Sequence, residues 1–439
     1  MNARCTRRRF LHRSACGAVG IGMAATSIAA GAKAAPSDTI HMGFVGLGPR
    51  AGGIMPSFAR QKDVTVTALC DVNKRRLASA AKRLGGTPNT YADFRRLFEQ
   101  KDLDAVVIAT PPHWHGIMCT QAAQAGLDFY VEKPMTVYVG ESQAIVQATR
   151  RYGRITQVGT QIHAGANYRR VVEIVRSGVL GKINCVRTFL TMNIGQRGYG
   201  KPKDKPVPDW IDWDMWVGPG PMRPFNPLIV RGAGSGHCWF MDYSGGWIPG
   251  MAPHIIDLPI WALDLGLPTH VSCHGGRSHV DDIGDVPIVQ EALFEYPGLT
   301  FTWMMNCMNS YGWDYQGNGG RGRRLGVYFH GEHATLHSHY GSHTIVPEKR
   351  PNAKLPVPPS TLPRGKSHHR DWIDCIVTRE QPTCNVFYHH RVNMACCLAN
   401  LVLKLGRSVT FDPATETIVG DPEATRLVLP AYREPWTLG

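Results

Sequence analysis

The chain has 439 residues, 43% of them hydrophobic and 19% charged, and this length and composition predict a globular protein of two domains. Its net charge is +14, but six basic residues and no acids lie among the first 34 residues, so the rest of the chain carries +8. The remaining basic residues form no basic helix or aromatic-interleaved stripe, and no apolar run reaches about 18 residues. We therefore expect no nucleic-acid partner and no membrane span.

The first 34 residues have the order of an export signal. Thr6–His12 reads TRRRFLH, an alanine- and glycine-rich apolar stretch follows, and Ala32–Ala34 forms a small-x-small cleavage pattern. A basic, disordered N-terminus is the alternative, but it would not require this order. We therefore predict a twin-arginine signal peptide over residues 1–34, export through the twin-arginine machinery and a periplasmic location.

An apolar strand, a glycine-rich turn and a helix open the chain that follows. Residues 39–45 are predicted as the strand, and Gly46, Gly48 and Ala51 then satisfy the pattern G-x-G-x-x-A. The first glycine permits a tight turn, the second lets the backbone approach a pyrophosphate, and the small third residue lets the helix pack against the strand. The N-terminus of the helix presents N–H groups to the phosphates. This pattern predicts dinucleotide binding.

A second predicted strand, residues 64–70, ends in Asp71, which lies 25 residues after Gly46. This spacing is typical of the acid that accepts the ribose hydroxyls, and a carboxylate there repels the 2′-phosphate of NADP. We therefore predict NAD as the cofactor. NADP is the less favoured alternative, because three basic residues follow at 74–76. A solvated turn is the alternative for Asp71.

Three more apolar runs are predicted as strands of the same sheet, at residues 105–109, 129–131 and 155–161. Ligands of open parallel sheets bind outside the carboxyl ends of the strands. The residues at those ends are therefore predicted to contact the cofactor. The complete predicted set is Gly46, Gly48, Ala51, Asp71, Thr110, Pro111, His115, Glu132, Lys133 and Gln161.

Short motifs along the chain occur in a fixed order. They are Ala109–Pro112, Glu132–Pro134, Val158–Gln161, Trp213–Pro219, Ser244–Gly246, His254–Asp257 and Tyr432–Trp436. Each motif is common alone, but the ordered set resembles the Gfo/Idh/MocA family, named for glucose-fructose oxidoreductase and inositol dehydrogenase, and within it an exported bacterial branch.

The resemblance implies an α/β N-terminal Rossmann domain, here residues 38–161, and an α+β C-terminal domain, residues 162–439, with a large open, mostly antiparallel sheet. The substrate would lie between this sheet and the nicotinamide, and the open sheet would support a homodimer or homotetramer. Local patterns agree with these expectations. Strands are predicted at 183–192, 289–296 and 299–305, and helices at 166–176, 369–376 and 392–405.

The resemblance also implies catalytic residues. The family lysine of Glu-Lys-Pro lies near the nicotinamide, which gives Lys133 the role of a proton-transfer group. The family pattern Gly-Gly-x-x-x-Asp-x-Gly-x-His-x-x-Asp matches here at His254 and Asp257, whereas Gly250 and Ala252 replace its first aspartate and a glycine. We predict His254 as a general acid/base or substrate contact and Asp257 as the group that orients its imidazole. Helix packing is the alternative for His254, and a place on the helix surface is the alternative for Asp257.

Histidines, cysteines and tryptophans outside these motifs have simpler explanations. His337 and His339 would share one face of a strand, but no nearby cysteine or carboxylate completes a metal site with recognised spacing. The ten cysteines beyond residue 34 include no CxxC pair. We therefore predict no metal. One or two tryptophans are expected to face a sugar ring. The candidates are Trp239, Trp247, Trp303 and Trp313.

Three functions follow from these residues. The first is an NAD(P)-dependent oxidoreductase that transfers a hydride to or from a hydroxyl-bearing carbon of a sugar, glycoside or cyclitol, with NAD tightly bound. The second is an NAD-dependent glycoside hydrolase or lyase, in which transient oxidation permits elimination with no net redox change. The third is a carbohydrate-binding protein without catalysis. A folded-state export route suits a protein that leaves the cytoplasm already holding a nucleotide.

Overall fold

The computed structural model describes residues 39–194, 198–231, 236–277, 280–309, 324–349, 355–362 and 365–438. The predicted signal peptide, residues 1–34, lies outside these ranges, as does Trp313. Within the described ranges no helix has the length and apolar character needed to cross a membrane. The ten cysteines there are free thiols.

The N-terminal sheet has six parallel strands in the order β3-β2-β1-β4-β5-β6. The strands are β1 (Ile40–Val45), β2 (Val64–Cys70), β3 (Asn89–Tyr91), β4 (Ala105–Ile108), β5 (Asp128–Val131) and β6 (Thr156–Val158). β4 and β5 are buried at every position, as expected for parallel strands that helices cover on both faces. The strand order reverses beside β1, and ligands of such sheets bind at that reversal.

Helices connect the strands of this sheet. They are α1 (Pro49–Ala59), α2 (Lys74–Arg83), α3 (Phe94–Phe98), α4 (His115–Gln124) and α5 (Val139–Tyr152). α1 begins with a proline directly after Gly48, because the fixed φ of proline suits the first helical position. The side chain of Asn73 caps α2 by accepting hydrogen bonds from the backbone N–H groups of Arg75 and Arg76.

The C-terminal sheet has nine strands in the order β13-β12-β11-β7-β10-β9-β8-β14-β15. The strands are β7 (Ile183–Thr191), β8 (His270–Gly276), β9 (Val289–Tyr296), β10 (Leu299–Asn306), β11 (Arg324–Gly331), β12 (Ala334–Ser338), β13 (His343–Pro347), β14 (Val409–Asp412) and β15 (Thr417–Ile418). Neighbouring strands are antiparallel except the parallel pair β7 and β10. β9 and β10 alternate buried with more exposed residues, so one face of the sheet is covered. The fold class predicted from the sequence is confirmed.

Helices of the C-terminal domain cover that sheet and reach back to the N-terminal domain. They are α6 (Ala166–Arg176), α7 (Trp213–Val217), α8 (Met241–Ser244), α9 (Trp247–Met251), α10 (Pro253–Ala262), α11 (His368–Thr378), α12 (Val386–Leu405) and α13 (Pro422–Arg426). α10 and α12 pack on the sheet. α11 packs on α1 instead, where the ring of Trp372 lies 5.8 Å from that of Phe58. The two domains therefore share an apolar interface.

Two of the predicted elements differ from the observed ones by more than two residues at one end, whereas the other differences are smaller. α12 begins at Val386 rather than residue 392, because the side chain of Asn385 accepts a hydrogen bond from the backbone N–H of Tyr388 and starts the helix earlier. β6 ends at Val158 rather than residue 161. Gln161 has φ +61°, which extended strands do not adopt, so the chain turns there.

The C-terminal tail returns to the N-terminal domain. The hydroxyl of Tyr432 donates to Oε1 of Glu141 at 2.6 Å, and Glu141 also accepts from the backbone N–H groups of Val137 and Tyr138. Burial raises the pKa of Glu141 to about 7 against these three hydrogen bonds. The ring of Trp436 packs 4.7 Å from that of Trp114. The tail thereby supports the loop after β4.

Candidate active site

A cavity of about 420 Å³ lies at the carboxyl edge of the N-terminal sheet. Residues after β1, β2, β4 and β5 form one wall. The opposite wall comes from the C-terminal domain, from α7, α9, α10 and the turn at 236–239. The cavity therefore lies where the strand order predicts a ligand, between the two domains.

The glycine turn after β1 forms one end of the cavity. Gly46 has φ +82°, and a Cβ there would lie 2.8 Å from the backbone N of Thr110 and 2.9 Å from the carbonyl O of Ala109. Gly48, Thr110 and Pro111 line the cavity beside it. The turn is thus pressed against the loop after β4, and only glycine fits at position 46. Such a close, side-chain-free turn fits the pyrophosphate of a dinucleotide.

Asp71 lies beside this turn at the end of β2. Its carboxylate accepts hydrogen bonds from the backbone N–H groups of Leu47 at 2.6 Å and Asn73 at 2.7 Å. Burial raises the pKa of Asp71, opposed by these two hydrogen bonds and by Arg76. Both Asp71 and Arg76 line the cavity. Asp71 is therefore fixed to the glycine turn and faces the ligand space, rather than being a solvated turn residue.

Glu132 is a buried carboxylate at the end of β5. Its Oε1 lies 2.8 Å from Nε of Arg50 and accepts a hydrogen bond from the hydroxyl of Tyr130 at 3.2 Å. A Cβ on Gly159 would lie 2.6 Å from that same oxygen, so a glycine is required there. Burial raises the pKa of Glu132, while Arg50 and Lys133 lower it. Glu132 and Arg50 both line the cavity.

Lys133 connects the two walls of the cavity. Its Nζ donates a hydrogen bond to the carbonyl O of Gly250, on α9, at 3.0 Å. Gly250 is the position where the family pattern has an aspartate, so no side-chain carboxylate stands here and the contact of Lys133 is with a backbone carbonyl. A Cβ on Gly250 would meet no atom within 4 Å. Space for a side chain therefore exists beside Lys133.

His254, at the start of α10, lines the same cavity. Its Nδ1 forms a short hydrogen bond with the hydroxyl of Tyr340, and its carbonyl O accepts from the hydroxyl of Tyr168 at 3.3 Å. The imidazole is therefore oriented by a tyrosine that follows β12. Lys133 and His254 are two titratable groups that line the same cavity from opposite walls, as proton transfer to a bound substrate requires.

The expectation that Asp257 orients His254 is wrong. Asp257 is fully buried, and its Oδ1 accepts from the hydroxyl of Tyr388 and lies 3.2 Å from Nε2 of His163. One helical turn separates Asp257 from His254 along the chain, but the two side chains have different partners. Burial alone would raise the pKa of Asp257, yet the nearby His163 lowers it.

Three predicted cofactor residues lie outside the cavity lining. Ala51 is fully buried in α1 and packs in the core, as the third fingerprint position requires. The ring nitrogens of His115 lie 2.8 Å from the carbonyl O of Pro134 and 3.0 Å from that of Thr110, and burial lowers the pKa of His115 to about 4. His115 therefore holds two cavity loops together rather than contacting a ligand. Gln161 lies beyond the end of β6, at the turn described above.

Several cavity residues were not predicted. His237 and Cys238 line the C-terminal wall from a short turn, and Tyr340 reaches His254 from an exposed loop. No spacing or motif marks these residues, because only the tertiary fold brings their loops to the cavity. Trp247 lines the cavity and belongs to the same buried core as Trp239 and Trp303, which do not line it. Two further tryptophans, Trp114 and Trp216, also line it.

The fold and the cavity are those of a dinucleotide-binding Rossmann domain joined to a second domain that forms the opposite wall of the cavity. The chain belongs to the Gfo/Idh/MocA family. The family model described as "Oxidoreductase family, NAD-binding Rossmann fold" matches residues 40–160. The model of its "C-terminal alpha/beta domain" matches residues 164–296 and 313–438. The family predicted from the sequence motifs is thereby confirmed.

The chain is similar over part of its length to curated bacterial proteins. It is 29% identical over 154 residues to a "Glycosyl hydrolase family 109 protein" of Shewanella sp. (strain W3-18-1), which covers 33% of this chain and 34% of that protein. It is 27% identical over 203 residues to an "Alpha-N-acetylgalactosaminidase" of Shewanella oneidensis, covering 40% and 44% respectively. The match therefore spans less than half the length of these relatives.

A solved structure shares the fold over most of the chain. The WlbA dehydrogenase from Bordetella pertussis, in complex with NADH and UDP-GlcNAcA, has a TM-score of 0.62 and 17% sequence identity. The similarity covers 85% of this chain and 99% of that protein. At this level of identity the comparison shows a common fold.

A Gly46→Ala variant tests the glycine turn. The added Cβ would lie under 3.0 Å from the backbone after β4, at a φ that side chains rarely adopt, so we expect loss of NAD binding. The matched control is Gly53→Ala in the exposed part of α1, where a Cβ meets no atom within 4 Å. Isothermal titration with NAD measures both variants. Equal affinity of Gly46→Ala and wild type would contradict the assignment of this turn.

Proposed function

We propose that this protein is an NAD-dependent oxidoreductase that acts on a hydroxyl-bearing carbon of a sugar, glycoside or cyclitol. The observation that carries the proposal is the shared cavity, in which the glycine turn and Asp71 lie on the same N-terminal wall as Lys133, while His254 faces them from the other domain. Family membership supports it, as does the sugar-nucleotide complex of the structurally similar WlbA dehydrogenase.

The residues present fit a dinucleotide. Gly46 and Gly48 leave room for the pyrophosphate, and Asp71 offers carboxylate oxygens to the ribose hydroxyls. NAD is favoured over NADP, because the Asp71 carboxylate repels a 2′-phosphate, although Arg76 lies beside it. We further propose that the nucleotide is tightly bound, since both domains enclose the cavity. A bound NAD would supply the hydride acceptor for the carbon that is oxidised.

Proton transfer is the task of the protein itself. An alcohol that loses a hydride must also lose the proton of its hydroxyl, and Lys133 and His254 are the cavity groups placed to take it. The hydrogen bond from Nζ of Lys133 to the carbonyl O of Gly250 holds the amine at the cavity wall. Tyr340 holds the imidazole of His254 in the same way. Trp247 provides an apolar face suited to a sugar ring.

A Lys133→Met variant tests this assignment. Removing a positioned proton-transfer group typically lowers the rate by about 100-fold or more, so we expect that loss in turnover with NAD affinity retained. Lys182→Met, at an exposed lysine before β7, is the control that should match wild type. Steady-state assay of the best substrate from a sugar panel, with NAD titration alongside, provides the measurement. Full turnover by Lys133→Met would disprove the role of this lysine.

A second candidate function is glycoside cleavage with no net redox change. The curated relatives are named as glycosyl hydrolases, and Gly250 stands where the family pattern has an aspartate. In this reaction transient oxidation of a hydroxyl to a ketone would acidify the neighbouring C–H bond. A cavity base removes that proton, and the glycosidic bond breaks as the leaving oxygen takes up a proton. In the hydrolytic case water then adds to the enone, and return of the hydride to the ketone carbon restores the hydroxyl. Lys133 and His254 would serve here as well.

Aryl glycosides with a catalytic amount of NAD distinguish the two functions. Net oxidation predicts reduced cofactor in proportion to product, and no aglycone release. Cleavage predicts aglycone release over many turnovers with no accumulation of NADH. Absorbance of the aryl alcohol and of NADH, recorded on the same sample, measures both products. Aglycone release without net NADH would overturn the dehydrogenase proposal and favour the second function.

A Gly250→Asp variant tests the contact between Lys133 and α9. The added carboxylate has open space and would lie close to the ammonium, which stabilises the charged amine. If the neutral amine is the base, the acidic limb of the pH–rate profile should move to higher pH. Gly250→Asn is the neutral control of nearly equal size. An equal displacement in both variants, or none in Gly250→Asp, would contradict the role of Lys133 as base.

We also propose export and self-association. The twin-arginine motif of residues 1–34 supports export to the periplasm through the twin-arginine machinery. The open face of the C-terminal sheet supports a homodimer or homotetramer, because an uncovered sheet of this size favours burial against a second copy.

A further inference from the structure

Three side chains with metal-binding atoms meet in the interior behind the cavity. They are His163, from the turn after β6, Asp257, from α10, and Cys384, next to the N-cap of α12. All three are buried, and one ligand atom from each lies within 4.8 Å of the others. The three residues are far apart in the sequence, so no motif spacing predicts the cluster. The sequence alone therefore predicts no metal here.

Polar atoms of this cluster lack hydrogen-bond partners. These atoms are Nδ1 of His163, Oδ2 of Asp257 and both ring nitrogens of the neighbouring His389. A buried polar atom without a partner costs about 1–3 kcal/mol, so several of them together call for an additional bonded group. His389 is fully buried and interacts electrostatically with Asp257 and His163. The cluster therefore keeps unused donor and acceptor atoms beyond the pair formed by His163 and Asp257.

The spacing and surroundings of the cluster suit a metal ion. Bond lengths of roughly 2.0–2.3 Å in a tetrahedral zinc site place its ligand atoms roughly 3.3–3.7 Å apart. Nε2 of His163 and Oδ1 of Asp257 are 3.2 Å apart, and the third atom is no more than 4.8 Å from either. The imidazole of His163 stacks on Trp261, with ring centroids 4.0 Å apart. Tyr388 donates to Asp257, as outer-shell groups do for ligating carboxylates.

We propose that His163, Asp257 and Cys384 bind a zinc ion. A set of thiolate, imidazole and carboxylate is typical of zinc, whereas magnesium and calcium prefer oxygen ligands alone. On binding, the thiol of Cys384 loses its proton to solvent and its sulfur bonds to the metal. The ion fastens the end of β6 to α10 and α12.

The site would position the active site rather than take part in the reaction. Asp257 lies one turn after His254 on α10, and Cys384 lies within 3.6 Å of the hydroxyl of Thr160, beside the end of β6. A metal held by these residues fixes α10 against the N-terminal sheet. It therefore fixes His254 relative to Lys133, which follows the adjacent strand β5.

Metal analysis of the full-length purified protein tests the proposal. Inductively coupled plasma mass spectrometry should find about one zinc per chain in wild type, and little in Cys384→Ser and Asp257→Asn. Cys375→Ser, at a partly buried cysteine of α11, is the matched control and should keep its zinc. Chelation should lower the melting temperature of wild type and Cys375→Ser, and leave that of Cys384→Ser unchanged.

Cobalt substitution gives a second readout, and its measurement on wild type does not depend on any variant folding. The Co²⁺ form of wild type should show a thiolate-to-metal charge-transfer band in the near ultraviolet, and Cys384→Ser should lack it. Folded wild type that contains no zinc as purified and takes up none from zinc chloride would overturn the proposal. So would zinc retained at full occupancy by Cys384→Ser, or a cobalt form of wild type without the thiolate band.

Discussion

The buried carboxylate of Glu132 is the constraint on which the site depends. A charge inside the protein must be paired, and Arg50 from α1, the hydroxyl of Tyr130 and the space left by Gly159 satisfy it together. These contacts lock the first helix and the ends of two strands, β5 and β6, into one arrangement. Lys133 is the next residue, so its place at the cavity wall follows directly from the pairing of Glu132.

Residues of the C-terminal domain complete the site. Across the cavity, the amine of Lys133 contacts the carbonyl of Gly250. His254, at the start of α10, lies on the same C-terminal wall as Gly250. The C-terminal tail packs Trp436 on Trp114, which lines the cavity from the N-terminal side. The residues proposed for binding and for proton transfer thus come from both domains. The proposed chemistry therefore needs both domains.

Sequence patterns predicted the parts of the site that depend on single strand–turn–helix units. The glycine turn, Asp71 and Lys133 lie at strand ends, and the carboxyl edge of a parallel sheet gathers them wherever the strands occur. Contacts between distant segments were not predictable in this way. Asp257 has the spacing to orient His254, yet its partners His163 and Tyr388 come from other elements. For the same reason the sequence did not predict Tyr340, because its contact with His254 depends on the tertiary fold alone.

The most direct test of the proposed function examines the nucleotide carried by the purified protein. Mass spectrometry of the denatured protein identifies any bound nucleotide, and absorbance of the native protein, mixed with sugars, glycosides and cyclitols, follows its redox state. We predict that NAD(H) co-purifies and that at least one carbohydrate changes its redox state. Failure to bind any nucleotide, both as purified and after incubation with NAD and NADP, would contradict the account.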